Sequence, residues 1–323
     1  MLKVSFNGFP HELSEMIFRS LSHLNLNLAF LRSENVKDSD IHFEFNFDKW
    51  RIKPQGKFNV LILWEPQSFM PWQYKESVMA KFDLVIPMSP WRAEKLKLEN
   101  WALHPGKIKS LKVDEKTRTK NIVMINAAKF SANFSSNYGL RRDISKKLHA
   151  SKLGYELYGQ NWNMPKFKEL RERIWSIRKE VQAFNIPDLF EAFSNISYRY
   201  PEYRGPTVDK FIELSRFRYA LVIENESDWI TEKLFDAISA GCVPIFIGPD
   251  LAQFPILSKC TIQLKPSANS VLDYFRNVTE DSYLAQKKLV NQVRGDSKEL
   301  EIFLIENISL KIAKITLDNY HVF

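Results

Sequence analysis

Short apolar segments alternate along the chain with longer segments in which apolar residues recur every three or four positions. Runs such as 59–64 and 243–247 have the length of strands and are apolar on both faces, whereas 11–24 has a helical period. Such alternation is typical of parallel sheets covered by helices on both sides. The pattern predicts strands at 2–6, 42–47, 59–64, 84–88, 122–126, 156–158, 219–224 and 243–247, and helices at 11–24, 91–98, 140–150, 208–214 and 232–240.

One polar stretch, residues 111–120, interrupts this alternation, and the pattern restarts just beyond it. We therefore predict an α/β protein with two doubly wound Rossmann-type lobes and a cleft between them. The N-terminal lobe is expected over 1–118 and the C-terminal lobe over 119–323, with the last helix free to pack back on the N-terminal lobe. Residues 162–205 are rich in charged and aromatic side chains but have no clear period, so no element is predicted there.

Composition narrows the class of protein. The 323 residues are 45% hydrophobic and 26% charged, which excludes disordered, collagen-like and coiled-coil chains. No apolar run approaches the roughly 20 residues of a membrane span, and the N-terminus does not resemble a signal peptide. Cys242 and Cys260 are expected to be buried thiols in a reducing compartment. These features predict a cytoplasmic protein.

The formal net charge of +8 favours an anionic partner, such as nucleic acid, an acidic membrane surface or a phosphate-bearing substrate. The basic residues are dispersed, and no zinc finger, RNP-type strand or basic zipper accompanies them, so no nucleic-acid partner is predicted. A peripheral position at a membrane surface stays open.

The segment 219–249 carries most of the chemical information. It predicts a strand, a polar loop, a helix and a second strand, so that the first turn of the helix lies at the carboxyl edge of the sheet, where α/β proteins bind ligands. A helix N-terminus favours a phosphate, and Lys233 adds a full positive charge. Glu232 suits the hydroxyls of a ribose, and Trp229 offers a ring for stacking. The alternatives are a solvated Glu-Lys pair and a core tryptophan.

Several motifs together resemble those of glycosyltransferase family 10, the α1,3/α1,4-fucosyltransferases. In the segment just described they are Glu224-Asn225, Trp229, Thr231-Glu232-Lys233, Ala240-Gly241-Cys242-Val243-Pro244-Ile245 and Gly248-Pro249. Upstream, residues 158–162 are similar to the Tyr-Gly-x-Gly-Trp of bacterial members, with Asn161 in place of the second Gly. Residues 133–148 are similar to a helix that carries an arginine, which here is Arg141.

The resemblance implies a GT-B architecture, with an N-terminal acceptor lobe and a C-terminal lobe that holds GDP-fucose. It assigns Arg141 and Lys233 to the donor pyrophosphate, Glu232 to the ribose, and Asn225 and Trp229 to other donor contacts. The implied activity is inverting transfer of fucose to a hydroxyl of an acceptor oligosaccharide or glycolipid. A GT-B transferase that uses another nucleotide sugar, and a catalytically inactive sugar-nucleotide-binding protein, remain alternatives.

Inverting transfer needs a base, and Glu65 is the first candidate. It follows the apolar run 59–64 and precedes Pro66, so it is expected at a carboxyl strand end facing the cleft. A strand-end carboxylate bound by backbone amides is the alternative role, and His104 is a second candidate base. Two cations and a helix N-terminus are expected to meet the leaving diphosphate, so no metal or cofactor is predicted. The triplet Asp38-Ser39-Asp40 is interpreted as a loop or cap.

Overall fold

Two parallel sheets organise the protein. The structure, a computed structural model, describes residues 2–8, 10–24, 30–32, 36–45, 56–109, 112–196, 198–295 and 298–320. Its strands are β1 (Leu2–Asn7), β2 (Phe30–Arg32), β3 (Ile41–Glu44), β4 (Phe58–Leu63), β5 (Leu84–Pro87), β6 (Lys120–Ile125), β7 (Tyr155–Tyr158), β8 (Phe217–Ile223), β9 (Val243–Ile247) and β10 (Ile262–Gln263).

The helices lie between and after these strands. They are α1 (His11–Leu24), α2 (Glu76–Met79), α3 (Pro90–Leu96), α4 (Tyr138–Ser151), α5 (Lys166–Gln182), α6 (Leu189–Phe193), α7 (Lys210–Ser215), α8 (Glu232–Ser239), α9 (Pro255–Cys260), α10 (Ala268–Asn277), α11 (Glu280–Gly295) and α12 (Ile305–Tyr320). In the described ranges, no helix combines the length and the apolar character that crossing a membrane requires.

The first lobe consists of Met1–Gly106 and Glu301–Phe323. Its sheet has the strand order β2-β1-β3-β4-β5, and every neighbouring pair is parallel. All six side chains of β4 are buried, because the strand is covered on both faces. Helix α1 buries Leu13, Ile17 and Leu21, which are spaced one turn apart, and it packs against α12. The apolar faces of these two helices therefore become part of the core of this lobe.

The second lobe consists of Lys107–Leu300. Its parallel sheet has the order β10-β9-β8-β6-β7. If the strands of each lobe are counted from its own first strand, both sheets have the order 2-1-3-4-5, as in flavodoxin-like folds. The chain crosses from β6 to β7 on one side and from β8 to β9 on the other. The two strands β6 and β8 therefore flank the topological switch point of the second lobe.

The predicted α/β class with two parallel-sheet lobes is confirmed, and most predicted strands and helices lie within two residues of the observed ones. The predicted strand 42–47 corresponds to β3, and residues 46–47 lie outside the described residues. Both cysteines are buried and free, as predicted.

In the structure the chain passes from the first lobe to the second at Gly106–Lys107, whereas the sequence suggested 118–119. Hydrogen bonds explain this position. The backbone N–H of Lys109 donates to Ser239 Oγ at 2.7 Å, and the guanidinium of Arg118 donates to the carbonyl oxygens of Phe217 and Ala240. The segment from Lys107 onward is therefore attached to the second lobe.

Residues 162–205 contain two helices, α5 and α6, that the sequence pattern did not predict. The reason is an inverted distribution of polarity. Helix α5 buries Glu169, Arg173 and Glu180, while several of its apolar side chains are exposed. The apolar residues of α5 recur every three or four positions, but the face that such a pattern normally assigns to the core is here the exposed one.

We predict that position 159, next to the switch point, tolerates only glycine because of its backbone conformation and its close neighbour. Its φ is +126°, and a Cβ atom there would lie 2.0 Å from the carbonyl oxygen of Asn126. Gly159→Ala should therefore lower the free energy of unfolding by more than about 3 kcal/mol, through backbone strain and a steric clash. The measurement is urea unfolding followed by circular dichroism.

Gly205→Ala is the matched control for this prediction. Gly205 has a φ of +96°, but no atom lies within 4 Å of the position of a Cβ. Its substitution should introduce only the backbone strain, about 1–3 kcal/mol. Equal losses for the two variants would show that the contact with Asn126 has no energetic consequence.

Candidate functional site

The site residues of the second lobe collect at the carboxyl ends of β6 and β8. Open parallel sheets bind ligands at such a switch point, because the helices that leave the two strands diverge and open a crevice there. Strand β6 ends at Ile125 and is followed by Asn126, and strand β8 ends at Ile223 and is followed by Glu224 and Asn225. Asn126, Glu224 and Asn225 therefore lie at the switch point.

Arg141, in the first turn of α4, ties this helix to the end of β8. Its guanidinium donates from Nη2 to the carbonyl oxygen of Ile223 at 2.6 Å and to Asn225 Oδ1 at 2.8 Å, and from Nε to Ile223 O at 3.2 Å. Burial lowers the pKa of Arg141 to about 10, so the group stays charged at neutral pH. Nη1 has no hydrogen-bond partner among the described residues, which leaves its two N–H groups for a ligand.

Two asparagines beside Arg141 carry unsatisfied polar atoms. Asn126 donates from Nδ2 to Ile223 O at 3.4 Å, and the backbone N–H of Asn137 donates to Asn225 O at 2.9 Å. Within the described part of the chain, Asn126 Oδ1 and Asn137 Nδ2 are buried and have no hydrogen-bond partner. Buried polar atoms are almost always paired in folded proteins, so the pairing of these two side chains beside Arg141 is incomplete.

Glu224 organises the loop between β8 and α8. Its side chain is fully buried, and its two carboxylate oxygens accept hydrogen bonds from Thr231 N at 2.9 Å and Thr231 Oγ1 at 2.8 Å. Burial raises the pKa of Glu224, while Lys233 and the two hydrogen bonds from Thr231 oppose that rise. The carboxylate thus holds the residue at which α8 begins.

Lys233 lies in the first turn of α8 and shares this network. Its Nζ donates to Thr231 Oγ1 at 2.7 Å and lies 3.7 Å from Glu224 Oε2, and its side chain is 21% exposed. Thr231 is the N-cap residue of α8, but its side chain makes no capping hydrogen bond: its hydroxyl group accepts from Lys233 and donates to Glu224 instead. The N-terminal amides of α8 therefore have no side-chain cap from Thr231.

The structure thus brings Arg141 and Lys233 to one short segment, Glu224–Asn225, which includes the predicted donor residue Asn225. Arg141 reaches it through Asn225 Oδ1, and Lys233 reaches it through the carboxylate of Glu224. Cationic side chains and a helix N-terminus are the groups with which proteins hold a diphosphate.

Glu232 and Trp229 have different surroundings. The side chain of Glu232 is 47% exposed in the first turn of α8, with its Oε1 3.9 Å from Lys210 Nζ. Trp229 is 1% exposed and lies in the interior of the lobe. In this structure its ring is therefore not presented to a ligand, unlike the expected stacking contact. The physical reason is that the loop folds inward at Trp229 and Ile230, both of which are buried.

Residues 158–162 contact the backbone of the site at Asn126. Trp162 donates from Nε1 to the carbonyl oxygen of Asn126 at 2.6 Å, and Gly159 lies directly against the same peptide group. Asn161 has a φ of +68°, a conformation that glycine and asparagine tolerate better than other residues. The substitution of Asn for Gly at this position therefore preserves the turn.

Glu65 belongs to the first lobe, two residues after the end of β4. It is partly buried, and its backbone carbonyl accepts a hydrogen bond from the hydroxyl group of Tyr74 at 2.6 Å. The ring of His104 packs against Trp64 at a tilt of 40°, with 4.4 Å between ring centroids. The position of Glu65 at a carboxyl strand end thus agrees with the expected one, and its role as a base stays a prediction.

Asp40, the last residue of the Asp-Ser-Asp triplet, has structural partners. It accepts hydrogen bonds from the backbone N–H of Lys3 and from Lys57 Nζ, both at 2.8 Å. These hydrogen bonds lower the pKa of Asp40, although burial opposes the shift. The acid therefore connects β1 to the turn before β4.

The sequence pattern did not identify Asn126, Asn137, Glu224 or Thr231 as a connected network. One signal was available, because Asn126 and Glu224 end predicted strands and therefore lie at the carboxyl edge of the sheet. The pairing of Glu224 with Thr231 depends on how the loop folds, and no spacing rule predicts it.

No protein-family model matches the chain. A curated relative, a putative fucosyltransferase-like protein of Arabidopsis thaliana, is 37% identical over 65 residues, which are 19% of this chain and 13% of the relative. The match thus spans only a small part of either protein.

Solved structures resemble the chain over nearly its whole length. The HepE protein of Anabaena, in complex with UDP and glucose, has a TM-score of 0.53 at 10% identity, over 98% of this chain and all of that one. A glycosyltransferase of Rickettsia africae has a TM-score of 0.50 at 9% identity, over 98% of each chain. An α1,3-fucosyltransferase has a TM-score of 0.49 at 14% identity, over 99% of this chain and 89% of that one. The two parallel-sheet lobes have the GT-B fold of glycosyltransferases.

Proposed function

We propose that the protein is an inverting glycosyltransferase that moves fucose from GDP-fucose to a hydroxyl group of an acceptor glycan. One observation carries the proposal. Arg141 and Lys233 meet at segment Glu224–Asn225, beside the N-terminus of α8 and at the switch point of the second lobe. The GT-B fold and the partial similarity to a fucosyltransferase-like protein support it.

The cations of the site suit the departing diphosphate. When the bond between the sugar and the nucleotide breaks, negative charge develops on the β-phosphate oxygen, and preorganised donors lower the energy of that state. Lys233 supplies a partly exposed charge, Arg141 supplies its open Nη1, and the first amides of α8 add a positive dipole end. These groups require no metal ion to meet the charge.

Other residues of the site suit the nucleoside. Glu232 is a half-exposed carboxylate at the start of α8, and a carboxylate can accept hydrogen bonds from both hydroxyl groups of a ribose. Asn126 Oδ1, just after β6, and Asn137 Nδ2, at the start of α4, add an acceptor and a donor. We assign these two asparagines to polar atoms of the donor.

Glu65 is our proposed base. In the proposed reaction the acceptor hydroxyl group transfers its proton to the carboxylate of Glu65, its oxygen forms a bond to the anomeric carbon, and the bond from that carbon to the phosphate oxygen breaks to release GDP. Attack opposite the leaving group inverts the anomeric centre, through a transition state of oxocarbenium character.

A different nucleotide sugar is the second candidate donor. The structure of HepE that shares this fold contains UDP and glucose. The cation pair suits the diphosphate that GDP-sugars and UDP-sugars share, so the nucleobase and the sugar decide between them.

We predict that GDP-fucose will stabilise the protein more than GDP-mannose, UDP-glucose or CMP-sialic acid in a thermal-shift assay. A ligand at 100 times its Kd adds about 2.7 kcal/mol to the stability of the folded state.

Labelled GDP-fucose and an array of acceptor glycans then test transfer of the sugar. The assay is run with and without EDTA, and EDTA should leave most of the transferase activity. A larger shift with UDP-glucose would favour the second candidate, and binding without transfer or hydrolysis would indicate an inactive binding protein.

We predict that Lys233→Ala will weaken donor binding and turnover together, each by about 10-fold to 100-fold, because it removes one charge from the diphosphate. Lys288→Ala, which removes an exposed lysine of α11 in the same lobe, is the matched control and should change neither. Isothermal titration with GDP and steady-state kinetics measure the two effects. Lys233→Arg should recover part of the loss, and unchanged GDP affinity in Lys233→Ala would remove Lys233 from the donor site.

We predict that Glu65→Gln will abolish transfer, with a loss of about 100-fold or more, while the affinity for GDP-fucose stays unchanged. The amide preserves the size of the side chain but does not accept the proton of the acceptor. Glu94→Gln, at an exposed position on α3 of the same lobe, should behave as the wild type. Transfer by Glu65→Gln at a rate near that of the wild type would exclude Glu65 as the base.

A further inference from the structure

An unusual amount of apolar surface lies in residues 166–196, which contain α5 and α6 and which we call the α5–α6 segment. Of the eighteen large apolar side chains that are exposed in the described part of the chain, eleven lie in this segment. Phe167, Phe184 and Phe190 are 80%, 89% and 86% exposed. Clusters of this kind on a soluble protein usually mark an interaction surface.

Buried ionic contacts fix the orientation of α5. Arg173 is fully buried, and it donates to Glu169 Oε1 and to the carbonyl oxygens of Ala192 and Ser194, each at 2.7 Å. Removal of these contacts would leave a buried charge without partners, which is costly. A rotation of α5 that turned its apolar side inward is therefore strongly disfavoured, and the apolar side stays exposed.

The exposed side of α5 forms a continuous stripe. Its apolar residues are spaced three and four positions apart: Phe167, Leu170, Ile174, Ile177 and Val181. All except the half-buried Ile177 are exposed, by 41% to 80%. Trp175, on the same helix, and Phe184, just beyond its end, are exposed as well. A stripe of this spacing is one face of an amphipathic helix.

Positive charges flank this stripe. Lys166, Lys168, Arg171 and Arg178 are exposed on α5, against the single partly exposed acid Glu172. The other charged residues of α5 lie on the buried side. An apolar stripe with a basic border and a tryptophan is complementary to a membrane surface that carries anionic lipids.

We propose that the α5–α6 segment docks the protein on an anionic lipid surface. The exposed Phe, Leu and Ile side chains enter the boundary between headgroups and acyl chains, and the basic side chains contact lipid phosphates. Trp175 lies at the level of the headgroups, where tryptophan is enriched in membrane proteins. This inference does not depend on the proposed catalytic activity.

Pairing with a second copy through the same stripe is less favourable for electrostatic reasons. If Phe167 and Leu170 are taken as positions a and d of a heptad, Arg171 and Arg178 occupy position e. Arg173 and Glu180, at position g, are buried against the lobe. Two copies would then place arginines beside the seam without acidic partners, which disfavours association.

The test is co-sedimentation of the full chain with vesicles. One set consists of phosphatidylcholine, and the other consists of equal parts of phosphatidylcholine and phosphatidylserine. The wild type should bind the anionic vesicles, bind the neutral ones much more weakly, and lose affinity as salt rises. Arg171→Gln with Arg178→Gln should reduce the partition coefficient about 30-fold, because each basic residue near such a surface contributes about fivefold.

Apolar variants test the stripe. Phe167→Ser with Ile174→Ser should reduce partitioning more than about tenfold, because two buried apolar side chains are lost. Leu284→Ser, at a 54% exposed position of α11 in the same lobe, is the matched control and should bind like the wild type. Circular dichroism and urea unfolding establish that each variant is folded.

Quenching by brominated lipids locates the contact. Trp175→Phe should bind as well as the wild type but should lose much of the quenching on anionic vesicles. Equal partitioning of the wild type, the arginine variant and the serine variant would overturn the proposal. So would a dimer of the wild type, seen by sedimentation velocity without vesicles, that Phe167→Ser with Ile174→Ser converts to a monomer, because the stripe would then be an interface between copies.

Discussion

The buried guanidinium of Arg141 is the contact on which the geometry of the second lobe's site depends. A charge with almost no exposure must be matched by fixed acceptors, and here the acceptors are the last carbonyl of β8 and the side chain of Asn225. These hydrogen bonds join the start of α4 to the end of β8 across the switch point. They leave Nη1 without a partner at the edge of the sheet where this kind of fold binds ligands. Arg141 therefore contributes both to the structure of the lobe and to the proposed binding of the donor diphosphate.

The parts of the fold that could be predicted are those in which burial follows the ordinary periodicity. Strand β4 is apolar at all six positions and α1 has a regular apolar face, so the sequence pattern located both within one residue. Which side of α5 is buried could not be predicted, because the buried side is ionic and held by Arg173. The edge strands β2 and β10, with three and two residues, are too short to have a period.

In the candidate site too, some features could be predicted from the local sequence pattern and others depend on tertiary contacts. The sequence identified Lys233 and Arg141 because a motif and a helix start indicate where phosphates bind, and the structure brings both to one segment. It did not identify the open atoms of Asn126 and Asn137, because whether a buried amide is paired depends on tertiary contacts. The burial of Trp229 is of the same kind, since one loop position can turn an aromatic ring inward or outward without any change in the local pattern.

The pairing of Glu224 with Thr231 explains how Lys233 can stay available next to a buried carboxylate. An unsatisfied carboxylate would bind the lysine directly, and a ligand would then have to break that ion pair. Here Thr231 donates to both carboxylate oxygens, and Lys233 lies 3.7 Å from the nearer oxygen, beyond hydrogen-bond distance. The site therefore offers a diphosphate a charged donor whose hydrogen-bonding capacity is only partly used.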